Sequence, residues 1–213
     1  MQFLNFKGKV SNISFSKNNI DGGIAKSVKE IDFLLNKRGI DSDWITYEKI
    51  NNLQKLYFLK SYLNSLNKKN SLVNFHGLWR SHSRLRNLEG IKYIVSPHGM
   101  LMPNCLIRSK FKKYISSKLW EDNFIKQACY LFTLSIQEAS TIPEKFKNKE
   151  VIIFPNSVLM PSSKLKSYSL TPPWINDIKH SKKVLLFLSR FDSIKGIYLL
   201  VEAWKNLTNS KSI

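Results

Sequence analysis

The sequence predicts an α/β fold built on a parallel sheet, and three observations support that prediction. Short apolar runs recur along the chain, as expected for strands that are buried on both faces. Stretches with helical periodicity separate these runs. Several runs end directly in turns that contain glycine, histidine or proline. Because this alternation is typical of βαβ units, we expect a Rossmann-like domain.

The first 70 residues give the clearest unit. Residues 10–15 alternate apolar and polar side chains and predict the first strand. A helix with inward-facing Val28 and Leu35 follows and ends where Gly39 provides a C-terminal cap. Residues 44–47 predict the second strand, and residues 51–69 predict a core helix with a leucine-rich side. Asp41-Ser42-Asp43 precedes the second strand, so we interpret it as a turn rather than as a metal motif.

A pair of glycines, Gly22 and Gly23, lies between the first strand and its helix. The spacing is not the G-x-G-x-x-G pattern of dinucleotide sites, so no NAD site is implied. Glycine has no side chain, and it lets a backbone approach a ligand closely. The alternative is a tight turn that requires a positive φ.

Two further predicted strands, residues 72–75 and 91–95, each lead into a histidine turn. His76 begins the first turn, and His98 lies in the second, within Ser-Pro-His-Gly-Met. Both histidines would therefore lie at the carboxyl ends of strands, where open α/β sheets bind ligands. A histidine there can equally be a structural residue that is fully hydrogen-bonded.

Residues 108–118 are strongly basic and have no acidic residue before Glu121. Phe111, Ile115 and Leu119 have helical spacing, and we expect them to face inward beneath the charges. Such a face could dock on an anionic membrane or on an acceptor, or it could be an ordinary solvated helix face. The cations are Arg108, Lys110, Lys112, Lys113 and Lys118.

The last part of the chain predicts two more strands, residues 130–134 and 151–154, and then a proline-containing linker. Residues 184–188 predict a buried strand that runs through a polar turn into a helix. Arg190 and Lys195 would lie at the carboxyl end of that strand beside a helix N-terminus, where an anion is favoured. They predict a phosphate or diphosphate site, the alternative being two solvated loop cations.

Four short motifs, in this order, resemble those of GT-B glycosyltransferases of the GT4 type. They are Gly22-Gly23, Pro97-His98-Gly99, Pro155-Asn156-Ser157 and Arg-Phe-Asp-Ser-Ile-Lys-Gly from Arg190 onward. The resemblance implies an N-terminal Rossmann-like domain (residues 1–159), a linker (160–182) and the start of a nucleotide-sugar-binding domain (183–213).

The resemblance also implies roles for individual residues. Arg190 and Lys195 would hold the donor diphosphate, and His98 would reach the donor sugar as the catalytic residue. The glycine pair would form a cleft loop. Ser135 and Glu138 match a family phrase that borders the cleft, although Glu138 could be an ordinary acid in the first turn of a helix. His76 is a further candidate for the cleft.

The implied reaction is glycosyl transfer from a nucleotide-diphosphate sugar to a polysaccharide or lipid-linked glycan, without a metal or other cofactor. The family pattern breaks at two places. Ser157 stands where the family has glycine, and no E-x7-E pair follows Lys195 because Glu202 is the only acid there. We therefore expect a chain cut short in its second domain, which a separate chain could complete. The alternative is an inactive remnant or binding module for an acceptor or an anionic membrane surface.

The net charge of +19 raises a third class of function, charge-driven binding of nucleic acid. No RNA- or DNA-reading motif accompanies the charge, so we do not expect this partner. Cys105 and Cys129 form no metal-like pair, and the N-terminus lacks a secretory signal. We expect a cytoplasmic location, with a peripheral position at the inner face of the membrane as the alternative.

Overall fold

The structure is a computed structural model that describes residues 7–18, 23–86, 88–157, 175–178, 185–189, 191 and 195–209. The chain divides into two units, Met1–Met160 and Pro161–Ile213. Within the described residues, every strand belongs to the first unit, and the second unit contains two helices.

The first unit is built on a sheet of six strands in which all neighbouring strands are parallel. In chain order the strands are β1 (Lys9–Ser14), β2 (Ser42–Thr46), β3 (Ser71–His76), β4 (Lys92–Ser96), β5 (Tyr130–Thr133) and β6 (Val151–Ile153). Their spatial order is β2-β1-β3-β4-β5-β6. The predicted α/β fold with a Rossmann-like parallel sheet is therefore confirmed.

Helices lie on the connections between the strands. In chain order they are α1 (Gly23–Lys37), α2 (Lys55–Ser65), α3 (Pro103–Ile107), α4 (Lys110–Ser116), α5 (Asp122–Gln127), α6 (Ile136–Ser140), α7 (Ile175–Ile178) and α8 (Ile197–Asn209). A π-helical turn, Ser117–Glu121, joins α4 to α5, and 3₁₀ turns cover Ser81–Arg84 and Glu144–Phe146. The predicted cap of α1 is present, since Gly39 has φ +77° and the amide of Ile40 donates to Leu35 O at 3.0 Å.

The centre of the core lies beneath the two histidine turns. Phe75 of β3 is fully buried, and its ring centroid lies 5.5 Å from that of Tyr93 and 5.1 Å from that of Phe124. The Tyr93 hydroxyl donates to Phe124 O at 2.7 Å, which satisfies the polar end of a buried aromatic side chain. This aromatic packing fixes β3, β4 and α5 against one another and gives the following turns a rigid base.

Helix α2 is shorter than predicted. It begins at Lys55 and ends at Ser65, whereas the sequence pattern extends over residues 51–69. Leu59 and Leu63, four residues apart on one face, are buried, but Leu53 precedes the helix and is 91% exposed. The aspartate-containing turn is also corrected, because β2 already begins at Ser42.

The predicted strand at residues 184–188 is wrong for the part that the structure describes. Residues 185–189 have no strand pairing, and Leu185, Leu186 and Leu188 are all more than 60% exposed. The helix that follows is confirmed as α8, but Trp204 on its apolar side is 49% exposed. A single strand and helix cannot bury both of their own apolar faces.

Candidate functional site

The order of the strands identifies a topological switch point in the sheet. From β1 the chain winds to β2 on one side, and it then continues from β3 to β6 on the other side. The winding direction therefore reverses between β1 and β3. Open α/β sheets bind ligands outside the carboxyl ends of the strands at such a switch point. The candidate site consists of the segments that follow β1, β3 and β4.

Left-handed backbone is concentrated in the two histidine turns. Gly77 and Trp79 after β3 have φ of +82° and +61°, and His98 and Gly99 after β4 have φ of +53° and +78°. A non-glycine residue in this region costs about 1–3 kcal/mol and persists where the surrounding structure enforces it. Such strain is concentrated at functional sites, so it marks His98 as a candidate.

The first turn is hydrogen-bonded to the end of β4 and lies close to α1. The amide of Gly77 donates to Ser96 O at 2.9 Å. A Cβ atom at Gly77 would lie 3.2 Å from Ile24 Cδ1 of α1, so the end of the Ile24 side chain would have to shift slightly, and the positive φ would strain any residue with a side chain. The positive φ is therefore the main reason for glycine at this position.

The two predicted histidines are in direct contact. His76 Nδ1 lies 2.9 Å from His98 Nε2, and the ring centroids are 5.2 Å apart. His76 is fully buried and its Nε2 lies 3.0 Å from Asn12 Oδ1 of β1, whereas His98 is partly exposed. Burial lowers the pKa of His98 to about 4 and that of His76 well below its usual range. Both rings are therefore neutral at pH 7.

Glu138 holds the second turn from the side of α6. Its buried carboxylate accepts from the amide of Gly99 at 2.6 Å and from the amide of Leu134 at 2.7 Å. Ser135 is the N-cap of α6, and its hydroxyl accepts from the amide of Glu138 at 3.1 Å. Both oxygens of Glu138 are thus occupied by backbone, and the residue acts on the site through the position of Gly99.

Glu121 holds the first histidine turn through a backbone amide, as Glu138 holds the second. No motif in the sequence indicated this role. Its Oε1 accepts from the amide of Trp79 at 3.0 Å. Ser83 Oγ lies 2.7 Å from both Glu121 Oε2 and Arg80 O, yet a serine hydroxyl has only one proton to donate. A protonated Glu121 supplies the second proton. This agrees with its complete burial, which raises the pKa of Glu121 to about 7.

A third histidine, His82, lies beneath the first turn and was also missed. Its Nε2 donates to Gly77 O at 3.0 Å, and its Nδ1 accepts from the Tyr47 hydroxyl at 2.8 Å. Burial lowers the pKa of His82 to about 4. His82 is a support for the turn, and its ring has no nitrogen left for a ligand.

The glycine pair is described only in part. Gly22 lies outside the described residues, and Gly23 is the exposed first residue of α1. Gly23 has no positive φ, and an added Cβ would meet no described atom within 4 Å. Neither backbone strain nor packing requires glycine at Gly23, so the alternative of a tight turn is wrong for Gly23, and its place in a cleft loop stays a prediction. Ser157 also has no positive φ, so its backbone accepts the serine.

The proposed diphosphate residues belong to the second unit. Arg190 lies outside the described residues. Lys195 is exposed and precedes α8 by two residues, next to Gly196 with φ +70°. Because the described residues before it form no strand, Lys195 does not lie at a strand end as predicted. The assignment of both cations to a diphosphate stays a prediction.

The basic stretch differs from its prediction in one respect. Phe111, Ile115 and Leu119 are 75%, 40% and 57% exposed, so the expected inward stripe is wrong. Helix α4 has seven residues, and none of them is buried, so the whole helix lies at the surface. The outer face of α4 and the π-helical turn therefore carries aromatic and aliphatic side chains among its cations.

The five cations of this stretch are not equivalent. Arg108, Lys110, Lys112 and Lys118 are exposed. Lys113 donates to Cys105 O and lies 5.7 Å from the centroid of the Trp79 ring. Burial lowers the pKa of Lys113. Lys113 thus ties α4 to α3 and to the first histidine turn, whereas the other four cations are exposed.

In the part of the chain that the structure describes, no three His, Cys, Asp or Glu side chains are grouped to hold a metal ion. No helix in those ranges is long and apolar enough to cross a bilayer. Comparisons with family models, with curated proteins and with solved structures give no match. The likeness to GT4 transferases therefore rests on the sequence motifs, and the function drawn from it is a proposal.

Proposed function

We propose that the protein is a GT-B-type glycosyltransferase that moves a sugar from a nucleotide-diphosphate sugar to a polysaccharide or lipid-linked glycan. One observation carries the proposal. A neutral histidine, His98, is held in left-handed backbone at the carboxyl edge of the sheet, against His76 and close to the switch point. A neutral histidine at this edge of the sheet can hydrogen-bond the hydroxyls of an uncharged sugar.

In this proposal the sugar and the diphosphate of the donor contact different residues. His98 hydrogen-bonds a sugar hydroxyl and orients the reacting carbon. Arg190 and Lys195 neutralise the negative charge that develops on the leaving diphosphate, which is an electrostatic contribution that usually dominates such reactions. The chain at Gly22 and Gly23 passes close to the bound ligand because no side chain obstructs it.

Release of nucleoside diphosphate tests the proposal. The full chain is incubated with UDP-, GDP-, ADP- and dTDP-sugars, with a membrane lipid fraction as the source of acceptor. We expect release with one donor class and a loss of about 100-fold in the His98→Ala variant, the usual size of a lost transition-state contact. Release that is the same in this variant would contradict the role of His98.

Donor binding tests the diphosphate site separately. We expect the double variant Arg190→Ala, Lys195→Ala to lose binding of the donor in calorimetry. The double variant Lys37→Ala, Arg38→Ala removes the same two charges from exposed positions at the end of α1 and is the matched control. Equal binding by both double variants would remove the diphosphate site from the proposal.

A second proposal concerns the outer face of α4, where exposed apolar side chains lie among cations. We infer that this face docks on an anionic bilayer and places the protein at the inner surface of the membrane. Basic residues contribute about 1 kcal/mol each near anionic lipid, so four exposed cations give about 4 kcal/mol. Because charge alone holds a protein weakly, the exposed Phe111 and Leu119 supply the second signal that stable docking requires.

Vesicle sedimentation tests the docking face. We expect vesicles with anionic lipid to bind the protein and neutral vesicles to bind less of it at low salt. Both Phe111→Ser with Leu119→Ser and Lys110→Glu with Lys112→Glu should weaken binding. Equal binding to both vesicle types would refute the proposal, as would a self-association that Phe111→Ser abolishes. The control replaces two exposed lysines elsewhere, Lys60 and Lys69, with glutamate.

Transfer and docking together also separate the proposal from its alternatives. An inactive remnant or binding module would bind anionic vesicles or acceptor and release no nucleoside diphosphate from any donor. A charge-driven nucleic-acid binder would bind an oligonucleotide with a steep dependence on salt. Either result without sugar transfer would replace the enzyme proposal.

A further inference from the structure

An unbroken line of hydrogen bonds runs from the partly buried Asp32 of α1 through the sheet to the second histidine turn. It begins at Asp32 Oδ1 of α1, 2.7 Å from Ser42 Oγ, which lies 3.2 Å from Asn12 Nδ2. Asn12 Oδ1 lies 3.0 Å from His76 Nε2, and His76 Nδ1 lies 2.9 Å from His98 Nε2. The line joins residues that are between 10 and 64 positions apart in sequence.

The chemistry of each member fixes the direction of the line. A carboxylate only accepts, so the Ser42 hydroxyl must donate to Asp32. Ser42 Oγ then accepts from the Asn12 amide nitrogen, which leaves the Asn12 carbonyl oxygen facing His76. A carbonyl oxygen requires a donor, so His76 carries its proton on Nε2.

The proton on His76 Nε2 also determines the tautomer of His98. His76 is neutral because it is buried, and with its proton on Nε2 its Nδ1 is an acceptor. His98 must therefore donate from Nε2. The neutral His98 ring then has its lone pair on Nδ1, and no hydrogen bond from a described residue reaches that nitrogen.

We propose that Asp32, Ser42, Asn12 and His76 act as positioning residues that fix the tautomer of His98, so that His98 Nδ1 is an acceptor for a ligand hydroxyl. The opposite tautomer would set two acceptors against each other somewhere along the line, and that pair would lose its hydrogen bond. A lone pair attracts a hydroxyl and repels an anion. His98 thus selects the sugar or glycan part of a ligand over its phosphates, which rests on the proposed function.

The tautomers can be read directly in the free protein. In a long-range ¹H–¹⁵N spectrum of the ¹⁵N-labelled full chain, the protonated and bare nitrogens of a neutral imidazole resonate in separate regions. We expect Nε2 to be protonated and Nδ1 to be bare in both His76 and His98. A proton on His98 Nδ1 in the unsubstituted protein would overturn the inference without any variant.

The variant Asp32→Ala tests whether the carboxylate sets the direction. Without it, Ser42 can donate to Asn12, the amide can turn over, and both directions of the line become allowed. We expect the nitrogen signals of His98 to move toward a mixture of tautomers. The matched control is Asp43→Ala, because Asp43 follows Ser42 on β2, accepts from Tyr62 and Lys9, and is not part of the line. Unchanged tautomers in Asp32→Ala would overturn the inference.

Ligand binding separates this inference from the proposed function. We expect Asp32→Ala to bind a nucleotide sugar about twofold more weakly, because an equal mixture of tautomers halves the fraction of His98 that can bind it, and to bind the nucleoside diphosphate alone unchanged. Equal weakening of both ligands would contradict selection of the sugar. If the predicted tautomers are present and no nucleotide sugar binds, the line of positioning residues stands and the proposed function fails.

Discussion

Replacing Glu121 with glutamine is expected to stabilise the protein at neutral and higher pH and to change it little in acid. Burial raises the pKa of Glu121 from 4.5 to about 7. The native state therefore keeps this proton over a range in which the unfolded chain has lost it, and stability falls as pH rises from 4.5 to about 7. At about 1.36 kcal/mol for each pH unit, the loss approaches ~3 kcal/mol.

Glutamine reproduces the protonated acid. Its oxygen accepts from the amide of Trp79, and its nitrogen donates to Ser83, which remains free to donate to Arg80 O. The Glu121→Gln variant has no carboxyl to ionise, so it should be more stable than the wild type by about 3 kcal/mol at pH 8 and nearly equal to it below pH 5.

Urea unfolding followed by tryptophan fluorescence at several pH values measures this difference. Burial lowers the pKa of His82 and of His98 to about 4, so these histidines reduce stability as pH falls below 6.5. That effect is common to both proteins and cancels when they are compared. Glu89→Gln removes a charge from an exposed position and is the control. A difference between Glu121→Gln and wild type that does not grow between pH 4.5 and 7 would refute the reasoning.

Three further substitutions test the supports of the site by urea unfolding. Glu138→Ala leaves two partly buried amides without an acceptor and should cost about 2 kcal/mol, whereas the exposed Glu144→Ala should cost much less. Gly77→Ala should cost about 2 kcal/mol or more, and Gly39→Ala less, because both have positive φ but only Gly77 has a close neighbour. Phe75→Ala empties the centre of the core and should cost about 3–5 kcal/mol. Equal costs within either matched pair, or a cost below 1 kcal/mol for Phe75→Ala, would contradict the packing described.

The parallel sheet could be predicted from the sequence because its strands are short apolar runs that end in turns. That pattern also placed His76 and His98 at one edge, since parallel strands present their carboxyl ends together. It could not establish that the two rings touch, or that Asn12 lies beside His76 from another strand. The sequence did contain one signal for Asn12. It lies within a predicted strand, and an asparagine that is buried in a strand needs a hydrogen-bond partner.

The incorrect predictions share a physical cause. Residues 108–119 have helical spacing, but a helical pattern shows only which side chains share a face and not whether another element covers it. Phe111 is exposed for that reason. Residues 184–188 are apolar enough for a strand, yet a strand needs neighbours to pair with. Glu121 was missed because its burial depends on a turn 38 to 42 residues earlier in the chain.

Saturation-transfer NMR on the full chain tests the central claim most directly. Nucleotide sugars of the four donor classes are added to the wild type and to His98→Ala. We predict that the sugar-ring protons of one donor receive saturation from the wild type and lose it in the variant, while the nucleoside protons keep theirs. Equal saturation of the sugar protons in both proteins, or no saturation from any donor, would contradict the assignment of this edge of the sheet to a nucleotide sugar.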